Sequence, residues 1–571
     1  MGKLKILVLL SIIVMVGATS CQVAPEAKGV YISGTSAGDA ETLNWILAAD
    51  SASLSYAGHT LDSLVTYDNQ WRVQLRTAAK DVEVSEDGLV YTVTIRDDLR
   101  WSDGSKVTAE DYVYTLRDLM FSDWLNYPYK GDWQEEVEGQ MVFVTPEVVD
   151  GTTFTITRQT VNPEFIYTVR TMTPYPQYIA VEYEGDVEAF TQAPEFNNLT
   201  YTGNLGPYRF VEWVRNDKFV VERNPEYYLG KDVGAPYFEE YVVKIFGTSA
   251  TVHAALEAKD ISYTGIDPSQ VARFTEMEWI NVYTVPTTGY LLLAYNLRDN
   301  GWEGLKQKEV RQALSLAISK ELMIEHVLYG FGEPAFNFIP KPSPWYVDEG
   351  IAKYGVEPLL DKEQAEELLL DTGYATEKAD GNIEVRDEEG NPLKLTLITN
   401  SGNDVRENVG HLIKQELSAI GIEVELKFVP WATELRKYLM NKVPGTDQEP
   451  RYNNGLGAVS EESWDLLVIG FNTHPLSPSG QDVFFTTEGG LNFWGYFDSQ
   501  VDELFKRVKS EEALDEEVRK QLYAELSRLI SEEQPVNFLA FQLANTGFQE
   551  NVKGIEPGIN MGYNYHLWYF Q

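Results

Sequence analysis

Cysteine is nearly absent: Cys21 is the only one among 571 residues. A lone thiol has no partner within the chain, so no disulfide staples the fold. Histidine is scarce too. The six (His59, His253, His326, His411, His474 and His566) are widely spaced and form no H-E-x-x-H pair, which argues against a helical zinc site. No G-x-x-x-x-G-K-[ST] loop occurs, so the chain is not a P-loop ATPase. No cofactor and no metal are expected. Basic residues are outnumbered: 46 Lys and Arg stand against 87 Asp and Glu, a net charge of −41. Such a surface repels phosphate backbones and argues against nucleic acid as a partner. Beyond residue 16 there is no long apolar run, clear internal repeat or low-complexity stretch.

What is there begins with an export signal over residues 1–20. Lys3 and Lys5 form a short basic region, residues 6–16 are apolar apart from Ser11, and Gly17, Ala18, Thr19 and Ser20 are small. The stretch is too short for a lasting membrane span. Cys21 follows directly, a placement resembling a bacterial lipobox, with Ala18 where such boxes prefer Leu or Val. A lipidated Cys21 would be the mature N-terminus; the other reading is ordinary cleavage nearby, with Cys21 incidental. Residues 21–29 then form a tether, of which 22–29 span at most roughly 27 Å. Several acyl chains would hold it where one alone binds marginally. Without Lys3 and Lys5 the charge is 44 basic against 87 acidic residues, or −43. The 551 residues after the signal exceed one hydrophobic core, so two to four domains are expected. The 33 Tyr, 25 Phe and 13 Trp suit an aromatic-lined cavity as well as a core.

Residues 90–95 alternate as a half-buried strand. Trp101-Ser102-Asp103-Gly104 supplies a turn, and Thr108 ahead of Ala109, Glu110 and Asp111 supplies a helix start. Together these resemble the hallmark block of the family 5 extracellular solute-binding proteins, receptors that deliver oligopeptides, and less often nickel or sugars, to ABC importers. Further matches keep the family's order. Thr42-Leu43-Asn44-Trp45 stands where the family has Ser-Leu-Asp-Pro. Leu61-Asp62-Ser63-Leu64 with Tyr67-Asp68 resembles a helix end and the strand after it. Gly206-Pro207-Tyr208, the turn-forming Asn224-Pro225 and Tyr227-Tyr228 match Gly-Pro-Tyr and Asn-Pro-x-Tyr elements. Arg311-Gln312-Ala313 matches a Val-Arg-Gln-Ala helix, whose inner face here is Val310, Ala313, Leu314, Ala317 and Ile318.

Residues 291–296 read as a buried strand. Asp361 caps a helix with Ala365, Leu368 and Leu369 inward that ends at Gly373. A strand through Leu393, Leu395 and Leu397, a helix of which 411–420 is part and which Gly421 stops, and a strand from Val424 imply a parallel pair with a right-handed crossover. The resemblance implies an α/β, two-lobed, type II periplasmic-binding-protein-like fold with a third domain. Lobe I would comprise residues 30–65, 176–285 and 531–571, lobe II 286–530, and the extra domain 66–175 would pack on lobe I. The ligand would lie between lobes that close by a hinge.

Gly34-Thr35-Ser36-Ala37-Gly38 fits the G-x-S-x-G nucleophile elbow after a strand over 30–33, which keeps a secreted serine hydrolase using Ser36 as an alternative. That chemistry also needs an acid, a histidine and an oxyanion hole brought to Ser36. The segment favoured for binding is 464–496: a buried strand over 464–470, then a loop rich in polar and aromatic groups. In peptide-binding relatives an aspartate at this strand's end pairs with the ligand's ammonium group. Here that position falls on His474, and a neutral imidazole accepts a hydrogen bond more weakly than a carboxylate. Asp482 is a substitute, or the ligand has a blocked amine or none, as in a sugar. Asn492, Trp494 and Tyr496 would share one face of a strand, as cleft lining or as core. The ligand-binding set is Asn44, Trp45, Asn296, Phe471, Asn472, His474, Asp482, Asn492, Trp494 and Tyr496. The function implied is that of a monomeric, non-catalytic receptor, anchored by lipid at the cell membrane on the periplasmic face or outer surface. It passes oligopeptides, or alternatively an oligosaccharide or other small solute, to the permease subunits of an ABC importer.

Overall fold

Two strands, Ile280–Tyr295 and Val536–Gln549, run antiparallel through the centre of the molecule and belong to both of its halves. Ile280 pairs with Gln549 at one end and Ala294 with Val536 at the other, with register irregularities between Pro286 and Tyr290 and between Leu291 and Leu292. The computed structural model describes residues 25, 27–74, 78–379, 381–430 and 434–571; the export signal and Cys21 lie outside the described residues.

The sheet built on these strands has eleven members. On one side lie Tyr263–Gly265, Val30–Thr35, Glu240–Ile245, Lys218–Arg223 and Tyr208–Val214; on the other lie Leu466–Asn472, Lys394–Asn400 and Glu423–Val429. Gly332–Pro334 pairs with Val536–Gln549 off this path. A separate four-stranded sheet takes Ala79–Val84, Val90–Ile95, Thr153–Thr157 and Thr145–Val148 in that order. One hydrophobic cluster joins residues of this small sheet (Tyr91, Val93, Phe154) to Tyr31, Tyr208 and Phe238 of the first half. The second half has two clusters, one on each face of its strands: Leu291, Leu293 and Tyr295 enter one, Tyr290, Leu292 and Ala294 the other. Period-2 alternation between two apolar layers explains why this stretch is apolar at nearly every position.

The local signals are realised with some shifts. Val90–Ile95 alternates half-buried and buried. The Asp111 carboxylate accepts from the Thr108 backbone N–H (2.8 Å) and hydroxyl (3.0 Å). Asp361 accepts from Gln364 N at 3.0 Å ahead of the helix Lys362–Asp371. Lys394–Asn400 and Glu423–Val429 pair in parallel around the helix Asp404–Ser418, which Asn403 caps and of which the expected helical stretch from 411 is the second half. The strand expected over 464–470 is Leu466–Asn472. The one expected over 291–296 extends back to Ile280, through Pro286 and Gly289, residues that usually interrupt strands. Residues 61–64 follow a turn after the helix Ser51–Ala57 rather than ending a helix.

The scattered family-like elements meet in space. Asp62 is half-buried, and the hydroxyls of Tyr227 and Tyr228 donate to its Oδ2 at 2.6 and 2.8 Å. Burial pushes its carboxyl up to about 6 despite those bonds. Asn224 Nδ2 donates to the carbonyls of Gly203 and Gly206. A Cβ on Gly206 would fall 2.1 Å from the Thr60 carbonyl carbon, so the loop tolerates only glycine there. Buried Arg311 donates to the carbonyls of Leu305, Lys306, Glu533 and Gln534, binding the helix Lys308–Ala317 to the end of Glu516–Glu533.

Candidate functional site

A short hairpin places an indole between the halves. Thr66–Tyr67 pairs with Val73–Gln74, and Asp68 Oδ1 shapes the turn by accepting from Gln70 N (2.8 Å) and Arg72 N (2.9 Å). Trp71 sits there at φ +60°, a left-handed conformation costly for a bulky residue. Its ring meets His474 of the second half edge-on, centroids 5.1 Å apart at 77°. Tyr167, on the helix Phe165–Arg170, closes on the same imidazole at 5.8 Å. The Arg170 guanidinium lies 5.6 Å from the Tyr167 centroid.

The polar atoms of this cluster are poorly paired. Trp71 Nε1, His474 Nδ1, Tyr67 Oη and Arg170 Nε are all shielded and have no hydrogen-bond partner among the described residues. Burial drives the His474 imidazole down to about 4, so it is neutral at ordinary pH. Burial raises the Tyr67 hydroxyl, and the Arg170 charge offsets part of that rise. Buried polar groups left open cost roughly 1–3 kcal/mol each, so this cluster calls for an explanation.

The loop carrying His474 is pinned. Thr473 Oγ1 donates to Phe338 O (2.6 Å), Ser343 Oγ to Pro475 O (2.5 Å) and Trp345 Nε1 to Leu476 O (3.1 Å). Beyond it the halves touch directly. Glu164 Oε2 accepts from Ser477 Oγ (2.7 Å), Ser479 Oγ (2.6 Å) and Ser479 N (3.3 Å), while Oε1 accepts from Tyr523. Burial holds the Glu164 carboxyl above its usual range, opposed by these donors and by the nearby Arg519 charge. Arg519 is itself 6% exposed, stacks 4.3 Å from the Trp345 ring centroid, and leaves Nε and Nη1 unpaired.

On its other side the helix Phe165–Arg170 borders a cavity of about 300 Å³. Thr168, Thr171, Trp45, Leu54, Tyr129 and Asp132 are among its lining residues. The helix thus joins the His474 cluster to this hollow.

The expected ligand set divides. Trp45 lines the cavity, and His474 and exposed Asn472 lie at the seam beside Thr288 and Gly289. Phe471 packs on Phe484, centroids 4.2 Å apart. Asn44 is fully buried against Tyr175 and Phe190 O, and Asn296 against Trp464 O. Asp482 is ion-paired with Lys509. Asn492, Trp494 and Tyr496 do not share a strand face: residues 491–496 form turns. Asn492 spends its amide on the backbone of Thr486, Gly495 and Tyr496. Trp494 is fully buried among phenylalanines. The alternation came from a glycine-punctuated turn, since Gly495 adopts φ +77°. Trp71, Glu164, Tyr167 and Arg170 were not in the expected set; their only signals were an Asp-x-x-Trp turn and the Asn162-Pro163 turn before the helix.

Ser36 is exposed on a loop, 3.4 Å from Ser249 Oγ, and no helix follows it as an elbow requires. Gly34 is explained by packing: a Cβ there would come within 2.5 Å of Ile261 and Val252.

The profile of the bacterial extracellular solute-binding proteins, family 5 (middle region), matches residues 73–491. The oligopeptide-binding protein AppA of Bacillus subtilis is 26% identical over 551 residues, 95% of this chain and 92% of AppA. Among solved structures, the ABC transporter substrate binding protein CtaP from Listeria monocytogenes superposes with a TM-score of 0.78 at 22% identity, covering 95% of this chain and all of CtaP. B. subtilis AppA in complex with a nonapeptide superposes with a TM-score of 0.72 at 23% identity, covering 96% of this chain and all of AppA. The fold is that of the type II periplasmic binding proteins. The chain belongs to the family 5 bacterial extracellular solute-binding proteins.

Proposed function

We propose that this protein is the cargo receptor of an ABC importer: held outside the cytoplasmic membrane by lipid on Cys21, it encloses an oligopeptide between its halves and hands it to the permease. Family membership makes it a binding protein and not an enzyme, and the serine hydrolase alternative falls with that. The observation that carries the cargo reading is the group of unpaired polar atoms on Tyr67, Trp71, Arg170 and His474 where the two halves meet. An extended peptide supplies alternating N–H and C=O groups to such atoms and leaves side chains to hydrated pockets. The full-length matches to AppA, one of them holding a nonapeptide, point the same way. We place the lobes at residues 30–65, 176–285 and 531–571 and at 286–530, with 66–175 packed on the first.

The test is mass spectrometry of whatever copurifies with the protein, followed by calorimetry with defined peptides. Short peptides binding at micromolar or tighter affinity support the proposal. Heat from cello- or manno-oligosaccharides with none from peptides overturns the peptide cargo and leaves the receptor class standing.

A further inference from the structure

The helix Phe165–Arg170 has two sides with different partners. Phe165, Ile166 and Val169 are buried in the cluster that holds the small four-stranded sheet, and the Phe165 ring meets Tyr91 edge-on at 5.1 Å and Trp133 at 5.6 Å. Glu164, Tyr167 and Arg170 recur every third residue, which puts them together on another side. From there Glu164 takes its donors from Ser477, Ser479 and Tyr523, and Tyr167 meets His474.

Other contacts across the seam start from the same part of the chain. Trp71 meets His474. Gly88, in the turn between Ala79–Val84 and Val90–Ile95, lies so close to Leu514 that a Cβ would fall 2.8 Å from its Cδ2. The charge of Arg519 acts on Tyr91, Glu164 and Tyr167, and that of Lys509 on Asp132. Each first-half residue in these contacts falls between 66 and 175, the stretch proposed as the third domain. So do Tyr67, Trp71 and Arg170, the first-half members of the unpaired polar group.

We propose that the third domain, rather than lobe I, supplies the first half's wall of the cargo site: Trp71, Tyr167 and Arg170 contact the cargo, while Glu164 and Gly88 dock the second half over it. This rests on the peptide reading above and assigns that wall's share of the selectivity to residues 66–175. The buried side of the helix fixes its outward side chains, so they meet cargo at little cost in ordering. Lobe I is the support: Asn560 Nδ2 donates to Tyr67 O at 2.9 Å and Asn69 Nδ2 to Pro557 O at 3.0 Å, bracing the hairpin that carries Trp71.

Hydrogen exchange on the full chain, with and without the tightest binder from a set of defined short peptides, locates the wall. The peptide should slow exchange in 66–74, 160–172 and 470–480 and leave 30–60 and 176–230 unchanged. Trp71→Phe removes the indole N–H and keeps a ring, and Arg170→Gln removes the charge of a half-buried side chain. Each should weaken peptide binding about tenfold, as for one buried hydrogen bond, with the melting temperature unchanged. Gly88→Ala drives a methyl into Leu514 and should weaken binding as well, while Gly88→Ala with Leu514→Ala should bind like Leu514→Ala alone. A double variant that is not rescued overturns the docking role of Gly88. Protection confined to 30–60 and 176–285, or unchanged affinity in both Trp71→Phe and Arg170→Gln, overturns the third-domain wall while the peptide reading stands. Failure of every peptide to bind the parent overturns both.

Discussion

Glu164 and Tyr523 stand 359 residues apart in the chain and share a hydrogen bond, the phenol donating to the carboxylate across the seam between the halves. Ser477 and Ser479 donate to the same carboxylate, so one buried acid on the first half collects four donors from the second. On the proposed receptor reading, that arrangement would favour the closed form, because each donor returns to water on opening.

Glu164→Gln keeps the shape and removes the charge that strengthens those bonds. Charge-assisted bonds are worth about twice neutral ones, and the variant should bind cargo roughly tenfold more weakly. Small-angle scattering of the cargo-saturated variant should show a larger radius of gyration than the parent. Identical curves and affinities would show that the contact contributes nothing to closure.

His474→Ala removes an imidazole that touches both Trp71 and Tyr167. Peptide affinity should fall by about 1–2 kcal/mol, as for one lost buried hydrogen bond. Trp71 loses its edge contact, so a shift in tryptophan emission should accompany the loss. Unchanged affinity would remove His474 from the site.

Acidification should act on stability through two opposing groups. Burial places His59 at about 4 against an ordinary 6.5, so between these values the unfolded chain takes up a proton that the native one does not. Stability from this source is intact above pH 6.5 and is lost as pH falls toward 4, by at most about 3 kcal/mol. Asp62 works in reverse: its native value near 6 against 3.8 makes the folded state bind the proton first, so its contribution rises as pH falls from 6. Melting temperatures from pH 8 to 4 should show His59→Gln less acid-sensitive than the parent and Asp62→Asn more so. The opposite ordering would refute both assignments.

Arg311→Met leaves the carbonyls of Glu533 and Gln534 without their donor at a buried helix end. A loss of about 3 kcal/mol in urea unfolding is expected, with cargo affinity at saturation unchanged. A variant as stable as the parent would mean that water replaces the guanidinium.

Ser36→Ala should alter neither stability nor cargo affinity, since its hydroxyl is exposed and Gly34 is fixed by packing against Val252 and Ile261. Esterase activity in the parent that vanishes in the variant would contradict this.

Local signals predicted local structure well. Alternation at 90–95, the Thr108 and Asp361 caps and the parallel unit around residues 394–429 each rest on neighbours in sequence, and each is found. The site was harder to read because its parts come from far apart. Trp71, Tyr167 and His474 become neighbours only once the chain has folded, and no period or spacing encodes that meeting. Asn492 and Trp494 misled for a related reason: alternate spacing in a tight turn imitates a strand, while Asn492 is held by the turn's own backbone and Trp494 is covered by Phe484, Phe485 and Phe493. Asn44 carried family-like surroundings, yet its amide is spent on Tyr175 and Phe190.

The paired central strands, Ile280–Tyr295 and Val536–Gln549, have a consequence for release. Their ladder is interrupted at residues 287–289, where Thr287 Oγ1 donates to Gln542 O instead. The two halves therefore share one pair of strands whose ladder is broken at mid-length and whole above and below the break. Under the proposed receptor function, release by bending at that break would require no melting of secondary structure.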